Sequence, residues 1–418
     1  MRSLYTLLLY LLTPMVLLRL AWRGLELRDY WYRWNERFGF VTAARESVAV
    51  WVHAVSVGES LAAMPLIHAL IDRHGERRVL VTTTTPTGSA RVRAQLGERV
   101  LHSYAPYDLP DVVARFLARM RPQQVVVMET ELWPNLFHAL AQRGIPLTIA
   151  NARLSPRSFR GYSRVRGFAA ATLADCTRIA AQSEADAQRF RSLGAPRVGV
   201  MGNIKFDMAV PEAQLQLGRQ LRAALGAQRP TWIAASTHEG EEEAVVAAHR
   251  SLLQTHPNAL LILVPRHPQR FDSVARMVEK SGLSLQRRSA LRLEATPADA
   301  PQLLLGDSMG EMFAYFAAAD VAFVGGSLVP VGGHNVLEPA ALGLPVLFGP
   351  QMHNFIAARD LLLEAQAALQ VADADALTVQ LAALLGDPAR RAAMGAAGRE
   401  AVAANRGALQ RLLALLDA

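Results

Sequence analysis

Three groups of residues in this 418-residue chain have types and spacings that can do chemistry. The first is the segment GGHNVLEPAALGLPVLFGP, residues 332–350. A short β-branched run, 321–324, ends in Gly325 and Gly326 ahead of it, and a second apolar run, 345–348, closes on Gly349 and Pro350. Glycines at a strand-to-helix turn let the backbone approach a ligand. The first turn of the helix expected over 335–342 offers unpaired N–H groups to an anion. Glu338, one turn inside that helix, can accept hydrogen bonds from two ribose hydroxyls. Glycine-rich turns also occur as plain packing in any α/β sheet. His334, Asn335 and Glu338 add three polar side chains at a strand's carboxyl end, where an open α/β sheet binds its ligand.

The second group is acidic. HAVSVGES, residues 53–60, leaves one apolar run and enters the helical pattern LAAMPLIHALI, so Gly58 is expected to make the turn and Glu59 to sit at the helix start. A carboxylate there serves equally well as a helix stabiliser or as a general base. The helix dipole lowers its pKa, so a base at this position needs partial burial to offset that pull. METELWPN, residues 128–135, ends another apolar run in Glu129 and Glu131, where acids are costly unless partnered or used. Lys205 lies in a mixed stretch, 198–211, read as the linker between two domains, and can reach a phosphate or a carboxylate.

The third group is cationic or offers backbone donors. NARLSPRSFRGYSRVR, residues 151–166, holds Arg153, Arg157, Arg160, Arg164 and Arg166 with no acid among them. One or two such arginines would read as a solvated face, whereas five without compensation favour an anionic ligand. VPRHP, residues 264–268, ends an apolar run in Arg266 and His267. GDSMGEM, residues 306–312, ends another, with Met309, Gly310 and Glu311 presenting backbone N–H groups at a helix start. His53, His238, His267, His334 and His353 lack ligand spacing such as HExxH, so no metal site is expected.

The elements that must position these groups are short buried strands alternating with helices. Runs at 48–52, 79–84, 124–128 and 146–150 form one series, and runs at 231–235, 260–264, 302–305, 321–324 and 346–348 form another. Each series reads as a doubly wound domain, and two such domains would line a cleft with the carboxyl ends of their sheets. Alanine-rich amphipathic helices from residue 388 onward are expected to cover a flank. A content of 51% hydrophobic and 19% charged residues is globular and large enough for two cores. The single cysteine, Cys176, sits in an apolar context, which implies a buried thiol and a reducing compartment.

The N-terminus is different. Residues 4–18 are uncharged and leucine-rich, and no Ala-x-Ala cleavage site follows them. Arginines at 19, 23, 28, 33 and 37 then interleave with Trp22, Tyr30, Trp31, Tyr32 and Trp34, as in an interfacial anchor whose positive side marks the cytoplasm. A buried ordinary helix is the competing reading. The formal net charge of +8 suits an anionic membrane surface, and no nucleic-acid-binding signature accompanies it.

Over nearly its whole length the chain closely resembles the 3-deoxy-D-manno-octulosonic acid (Kdo) transferases of lipopolysaccharide, or lipid A, synthesis. The N-terminal anchor, HAVSVGES, TTTTPTGS, YAPYDLP, METELWPN, IANARLS, GNIKFD, STHEGEE, LVPRHP, GDSMGEM, FVGGSLV and GGHNVLEPA carry the resemblance in order. It implies an α/β fold of GT-B type, two Rossmann-like doubly wound domains facing a cleft with an N-terminal membrane-anchor helix. The corresponding parts are 1–22 (anchor), 23–205 (acceptor-binding domain), 206–387 (CMP-Kdo-binding domain) and 388–418 (C-terminal helices). It also implies an inverting transferase that moves Kdo from CMP-Kdo to a lipid A precursor without a metal or other cofactor, at the cytoplasmic side of a bacterial inner membrane. Two successive additions are the commoner habit of the family.

Carried onto this sequence, the resemblance makes Glu59 the base that deprotonates the acceptor hydroxyl, with Glu129 and Lys205 supporting the transition state. Arg266, His267, Met309, Gly310, Glu311, Asn335, Val336, Leu337 and Glu338 would bind CMP. Arg153, Arg157, Arg160 and Glu131 are the acceptor-side candidates from the residue reading. The partners expected are CMP-Kdo, the lipid A precursor and an anionic membrane surface, and no nucleic acid. Two other readings use the same residues less fully: a GT-B transferase of another nucleotide sugar to a lipid acceptor, and a non-enzymatic, membrane-tethered two-lobed binding protein.

Overall fold

The computed structural model describes residues 1–208, 210–293 and 300–417. The chain divides into two compact units, Met1–Asp207 joined by Arg406–Ala418, and Met208–Asn405.

In the first unit the apolar runs form β1 (Val50–His53), β2 (Val79–Thr83), β3 (Leu101–Tyr104), β4 (Gln124–Met128), β5 (Leu147–Ala152), β6 (Arg178–Ala181) and β7 (Val198–Val200). They make one sheet in the order β3-β2-β1-β4-β5-β6-β7, and every pairing is parallel. Strands covered on both faces read as unbroken apolar runs, which is why β1, β2, β4 and β5 are visible in sequence. The other three are not. β3 carries His102 and Ser103, β6 is only four residues long, and β7 is a largely exposed edge. β7 also corrects the linker reading of 198–211, because that stretch begins with a strand paired to β6.

The second unit repeats the plan with β8 (Thr231–Thr237), β9 (Leu260–Pro265), β10 (Leu285–Arg287), β11 (Leu303–Leu305), β12 (Val321–Val324), β13 (Val346–Phe348) and β14 (Ala368–Gln370). The order is β10-β11-β9-β8-β12-β13-β14, again wholly parallel. The sequence reading missed β10 and β14, the two short edges. In each sheet the winding reverses beside the first strand, between β1 and β4 and between β8 and β12, and such a switch point opens a crevice at the strands' carboxyl ends.

Successive strand residues face opposite sides, so each sheet carries two cores. Trp51, Phe116, Phe137 and Phe190 fill one side of the first sheet, and Val52, Ile67, Leu70 and Met128 the other. Cys176 is buried in the first of these, and burial pushes its thiol pKa up. The second side also takes Ala408 and Leu412 from the last helix, Ala408–Asp417. The C-terminal helices therefore do not stay together. The Asp207 carboxylate accepts from the Gly407 and Leu409 N–H groups, both at 2.5 Å, and Arg411 Nε donates to the Met201 carbonyl at 2.7 Å, which fixes the last helix to the first unit. Helix Pro388–Ala404 stays in the second unit against Leu337–Ala341.

Helix packing in the second unit depends on one small residue. Gly218, in helix Glu212–Leu225, faces helix Met312–Ala317 so closely that a Cβ there would stand 2.5 Å from Ala317 Cβ and 2.7 Å from the Ala314 carbonyl oxygen. Gly218→Ala is expected to cost about 1–3 kcal/mol by forcing the helices apart, despite alanine's better helix propensity. A lowered urea midpoint for the second unit would show this, and an unchanged midpoint would mean the contact relaxes freely.

Candidate functional site

The first switch point collects the acidic candidates. Helix Val57–His74 is capped by Ser56, whose Oγ accepts from the Glu59 N–H at 3.3 Å and donates to Glu59 Oε1 at 3.1 Å. Glu59 Oε2 accepts from the N–H of Val55, the residue before the cap, at 2.7 Å, so the side chain folds back over the helix start in a variant of the capping box. This corrects the expectation for Gly58, which lies inside the first helical turn and does not make the bend. Glu59 is thus a cap by geometry, but it is also half-buried. Burial raises its carboxyl pKa from 4.5 to about 7; the Val55 N–H opposes that shift, and the charges of Glu129 and Glu131 add to it.

Glu129 leaves β4 with φ 58°, in the left-handed region that costs a non-glycine residue about 1 kcal/mol or more. Its N–H donates to the Ala150 carbonyl at 2.9 Å, and its Oε1 lies 3.8 Å from Lys205 Nζ. Lys205 is set by the strand next door. Asn151, in β5 with φ 53°, accepts the Ile204 N–H on its Oδ1 at 3.1 Å, and Asn203 Oδ1 caps the Lys205 N–H at 3.0 Å. Glu131 accepts from Trp133 Nε1 at 3.1 Å, and burial raises its pKa. Beneath them His53 is wholly buried, its Nδ1 2.9 Å from Thr82 Oγ1 and its ring edge-on to Trp133 at 5.2 Å. Burial lowers its pKa to about 4 and keeps the imidazole neutral.

All five arginines of 151–166 are exposed, and among the described residues none forms an ion pair. Arg157 and Arg160 ride on helix Pro156–Ser163, which packs Phe159 and Tyr162 against the core. Tyr162 is close enough to Glu131 for that carboxylate to help raise the phenol pKa, behind the larger effect of burial.

The second switch point is organised by a carboxylate that sequence reasoning passed over. Glu241 is fully buried and accepts the N–H groups of Gly326 (2.7 Å), Leu328 (2.9 Å), Ser327 (3.0 Å) and His238 (3.2 Å). Gly325 leaves no room for a side chain here, since a Cβ would stand 2.8 Å from Glu241 Oε2. Over this turn His238 and His334 stack in parallel, with their Nε2 atoms 2.8 Å apart, and His267 meets His238 edge-on. Burial lowers the His334 pKa to about 4, and the neighbouring His238, Arg266 and His267 side chains act in the same direction. One imidazole of the pair must then donate and the other accept.

Asn335 Nδ2 donates to Glu338 Oε1 at 3.0 Å, while Asn335 Oδ1 accepts the Leu337 N–H at 3.1 Å. The helix is shorter than the expected 335–342, running Leu337–Ala341, because Asn335 turns its side chain into the start. Val336 and Leu337 are core residues, so only their backbone can face a ligand. Burial raises the Glu338 pKa, with Arg266 pulling the other way. Beyond the end of β11, Gly310 has φ 83°, and Glu311 accepts from Arg288 Nη2 at 3.1 Å and Ser308 Oγ at 2.6 Å. Met309 is exposed.

The structure therefore brings Glu59, Glu129, Glu131 and Lys205 together on the first unit, and Arg266, His267, His334, Asn335 and Glu338 together on the second. Met309, Gly310 and Glu311 lie on the same sheet edge of the second unit, one strand beyond Arg266 and His267. His53, Asn151, His238, Glu241 and Ser327 were missed as members of the site. The acid-rich STHEGEE after a buried strand was the available signal for two of them. Among the described residues, no three His, Cys, Asp or Glu side chains are grouped to hold a metal ion.

Comparison with known proteins points one way. Residues 32–208 match the family model described as 3-deoxy-D-manno-octulosonic-acid transferase (kdotransferase). A 3-deoxy-D-manno-octulosonic acid transferase of Haemophilus influenzae is 43% identical over 99% of this chain and 98% of its own. Another, from Bordetella pertussis, is 41% identical over 100% and 99%. Among solved structures, the UDP-GlcNAc 2-epimerase of Neisseria meningitidis superposes with a TM-score of 0.58, covering 88% of this chain and 100% of that one. At 14% identity that likeness speaks for the fold alone.

The Glu59 environment has a consequence for stability. Its folded pKa, about 7, lies above the ordinary 4.5, so its contribution is fully present below pH 4.5 and is lost as pH rises through 7. Replacing it by Glu59→Gln removes the titration. The wild type is expected to lose stability relative to this variant between pH 4.5 and pH 7, read as urea midpoints across that range. A pH-independent difference would refute the raised pKa.

Proposed function

Because the chain belongs to the 3-deoxy-D-manno-octulosonic acid transferase family, and is a glycosyltransferase of lipopolysaccharide synthesis with the GT-B fold, we propose the following reaction. The enzyme transfers Kdo from CMP-Kdo to a lipid A precursor, lipid IVA, with inversion at the anomeric carbon and no metal ion, in two successive additions. The acceptor hydroxyl oxygen attacks the anomeric carbon of Kdo, its proton passes to Glu59, and the bond to the phosphate oxygen breaks to release CMP. The Glu59 environment carries this reading: a carboxyl with a pKa of about 7 is ionised enough to take a proton at neutral pH and basic enough to hold it.

Lys205 lies beside Glu129, and the carboxylate of Kdo gives it an anionic partner. Glu129, 3.8 Å away, orients the ammonium and balances its charge. On the donor side Arg266 and His267 face the phosphate, and Glu338, held by Asn335, accepts from the ribose hydroxyls. Met309, Gly310, Glu311, Val336 and Leu337 complete the CMP contacts through their backbone. A single phosphate can be stabilised by cations and backbone N–H groups, where a diphosphate more often recruits a divalent ion. Arg153, Arg157 and Arg160 face the phosphates of the lipid acceptor, with Glu131 beside them. The protein works at the cytoplasmic side of the inner membrane, on an anionic lipid surface, and takes no nucleic acid partner.

Incubating the detergent-solubilised protein with CMP-Kdo and the tetraacyl precursor in EDTA should give a lipid heavier by two Kdo units by mass spectrometry. Activity lost in EDTA and restored by a divalent cation would overturn the metal-free reading, and a single increment would overturn the count. The rate should rise with pH to a plateau with an apparent pKa of about 7, and Glu59→Gln should lower it by about 10²–10⁴-fold. A folded Glu59→Gln protein with near-wild-type turnover would remove Glu59 from the mechanism.

A further inference from the structure

Helix Arg2–Glu26 is long and apolar enough to cross a bilayer, judged by length and composition. Its attachments point elsewhere. Tyr5 Oη donates to Asp108 Oδ2 at 3.0 Å, Thr6 Oγ1 to Asn135 Oδ1 at 3.0 Å, and Tyr10 Oη to Asp111 Oδ1 at 2.6 Å. The Tyr5 ring also packs on Phe168 at 5.5 Å. These partners belong to the globular part of the first unit: Asp108 itself accepts the Asn135 and Leu136 N–H groups at the start of helix Pro134–Ala141. At the other end Trp31 Nε1 donates to the Ala21 carbonyl at 2.8 Å, and the indole sits where a Gly24 side chain would be. The chain then continues into the same unit, where Arg33 donates to Ser89 at 2.9 Å.

From Tyr5 to Gly24 the helix rises about 28 Å, close to the roughly 30 Å of a hydrocarbon core. Were it to span, the Tyr5 end would emerge on the far side of the membrane from the Gly24 end. The Tyr5 end is fastened to the globular part of the unit and the Gly24 end to the Trp31 segment that leads into it, so a spanning orientation would have to break the contacts of Tyr5, Thr6 and Tyr10.

The faces of the helix agree. The less exposed positions are 5, 6, 9, 13, 16, 17, 20, 21 and 24, a stripe at helical spacing that includes Tyr5, Thr6 and Thr13. The opposite face exposes Leu7, Leu11, Met15, Leu18, Trp22 and Leu25, with Leu18 and Leu25 each 71% accessible. An exposed apolar stripe of this length needs a covering. No acid occurs in residues 1–25, whereas Arg2, Arg19, Arg23 and Arg28 flank the stripe. The helix carrying Phe168 begins at Arg166, the last of the exposed 151–166 arginines. Leucine in one direction and arginine at the margins match acyl chains beneath anionic headgroups.

We infer that this helix lies in the plane of one leaflet of an anionic bilayer, its exposed leucine face among the acyl chains and the stripe that carries Tyr5, Thr6 and Thr13 on the enzyme, and does not cross the membrane. The inference rests on the membrane attachment proposed above. It also sets the 151–166 arginines beside the headgroups from which a phosphorylated lipid acceptor would rise.

Single-cysteine labelling of the full-length protein tests it, with the buried native thiol removed by Cys176→Ala. Ser3→Cys and Asp29→Cys variants are each exposed to a membrane-impermeant maleimide in spheroplasts and in inverted inner-membrane vesicles. Both variants should label in inverted vesicles, with at least about tenfold less labelling in spheroplasts. Labelling of the Ser3→Cys variant in spheroplasts, or its silence from both sides until detergent is added, would overturn the in-plane helix while leaving membrane attachment intact. Recovery of the protein in the soluble fraction would overturn the attachment itself.

Discussion

Each sheet is parallel throughout and covered on both faces, and this arrangement dictates where polar side chains can go. Strand interiors admit apolar residues almost alone, because a polar group there has no unused backbone partner and no water. Charged groups are displaced to the strand ends, and parallel pairing brings all carboxyl ends to one edge. The topology then opens that edge at a single place in each unit, beside β1 and beside β8. Glu129, Asn151 and Ser236 all adopt positive φ at or near the ends of their strands, at 58°, 53° and 58°. Such strain persists only where surrounding contacts over-determine it, and these three residues stand at the two edges that gather the polar candidates.

Two glutamates show how the same residue type acquires different work at these edges. Glu241 and Glu59 each follow the first strand of their sheet. Glu241 is fully buried, and four backbone N–H groups at 2.7–3.2 Å saturate its oxygens, so it holds the Gly326–Leu328 turn in one conformation. Glu59 receives one N–H and one hydroxyl, and it shares its surroundings with two further carboxylates. Burial without a matching set of donors is what brings its pKa into the neutral range. Hydrogen-bond satisfaction, more than burial, separates Glu241 from the carboxyl proposed as the base.

The N-terminal helix follows the same logic in reverse. Tyrosine and threonine within a leucine-rich run look like minor blemishes in a membrane span when read along the chain. In three dimensions they are the residues that fasten the helix to Asp108, Asn135 and Asp111. Leu7, Leu8, Leu11, Leu12 and Leu18, on the opposite face, are left exposed.

Much of this was legible in the chain itself. Buried parallel strands appear as continuous apolar runs, so the two doubly wound units, their main strands and the acids and arginines at the strand ends all follow from one-dimensional pattern. The edge strands β3, β7, β10 and β14 and the short β6 beside an edge were not legible, because an edge or a short strand loses the two-sided burial that writes that pattern. Nor was the return of the last helix to the first unit, which depends on the Asp207 carboxylate meeting N–H groups 200 and 202 residues away. Residue type and spacing marked Glu59 as an acid at a helix start and could go no further. Whether that acid caps the helix, carries a proton or does both depends on how many donors and how many other carboxylates surround it, and those neighbours come from strands far apart in sequence.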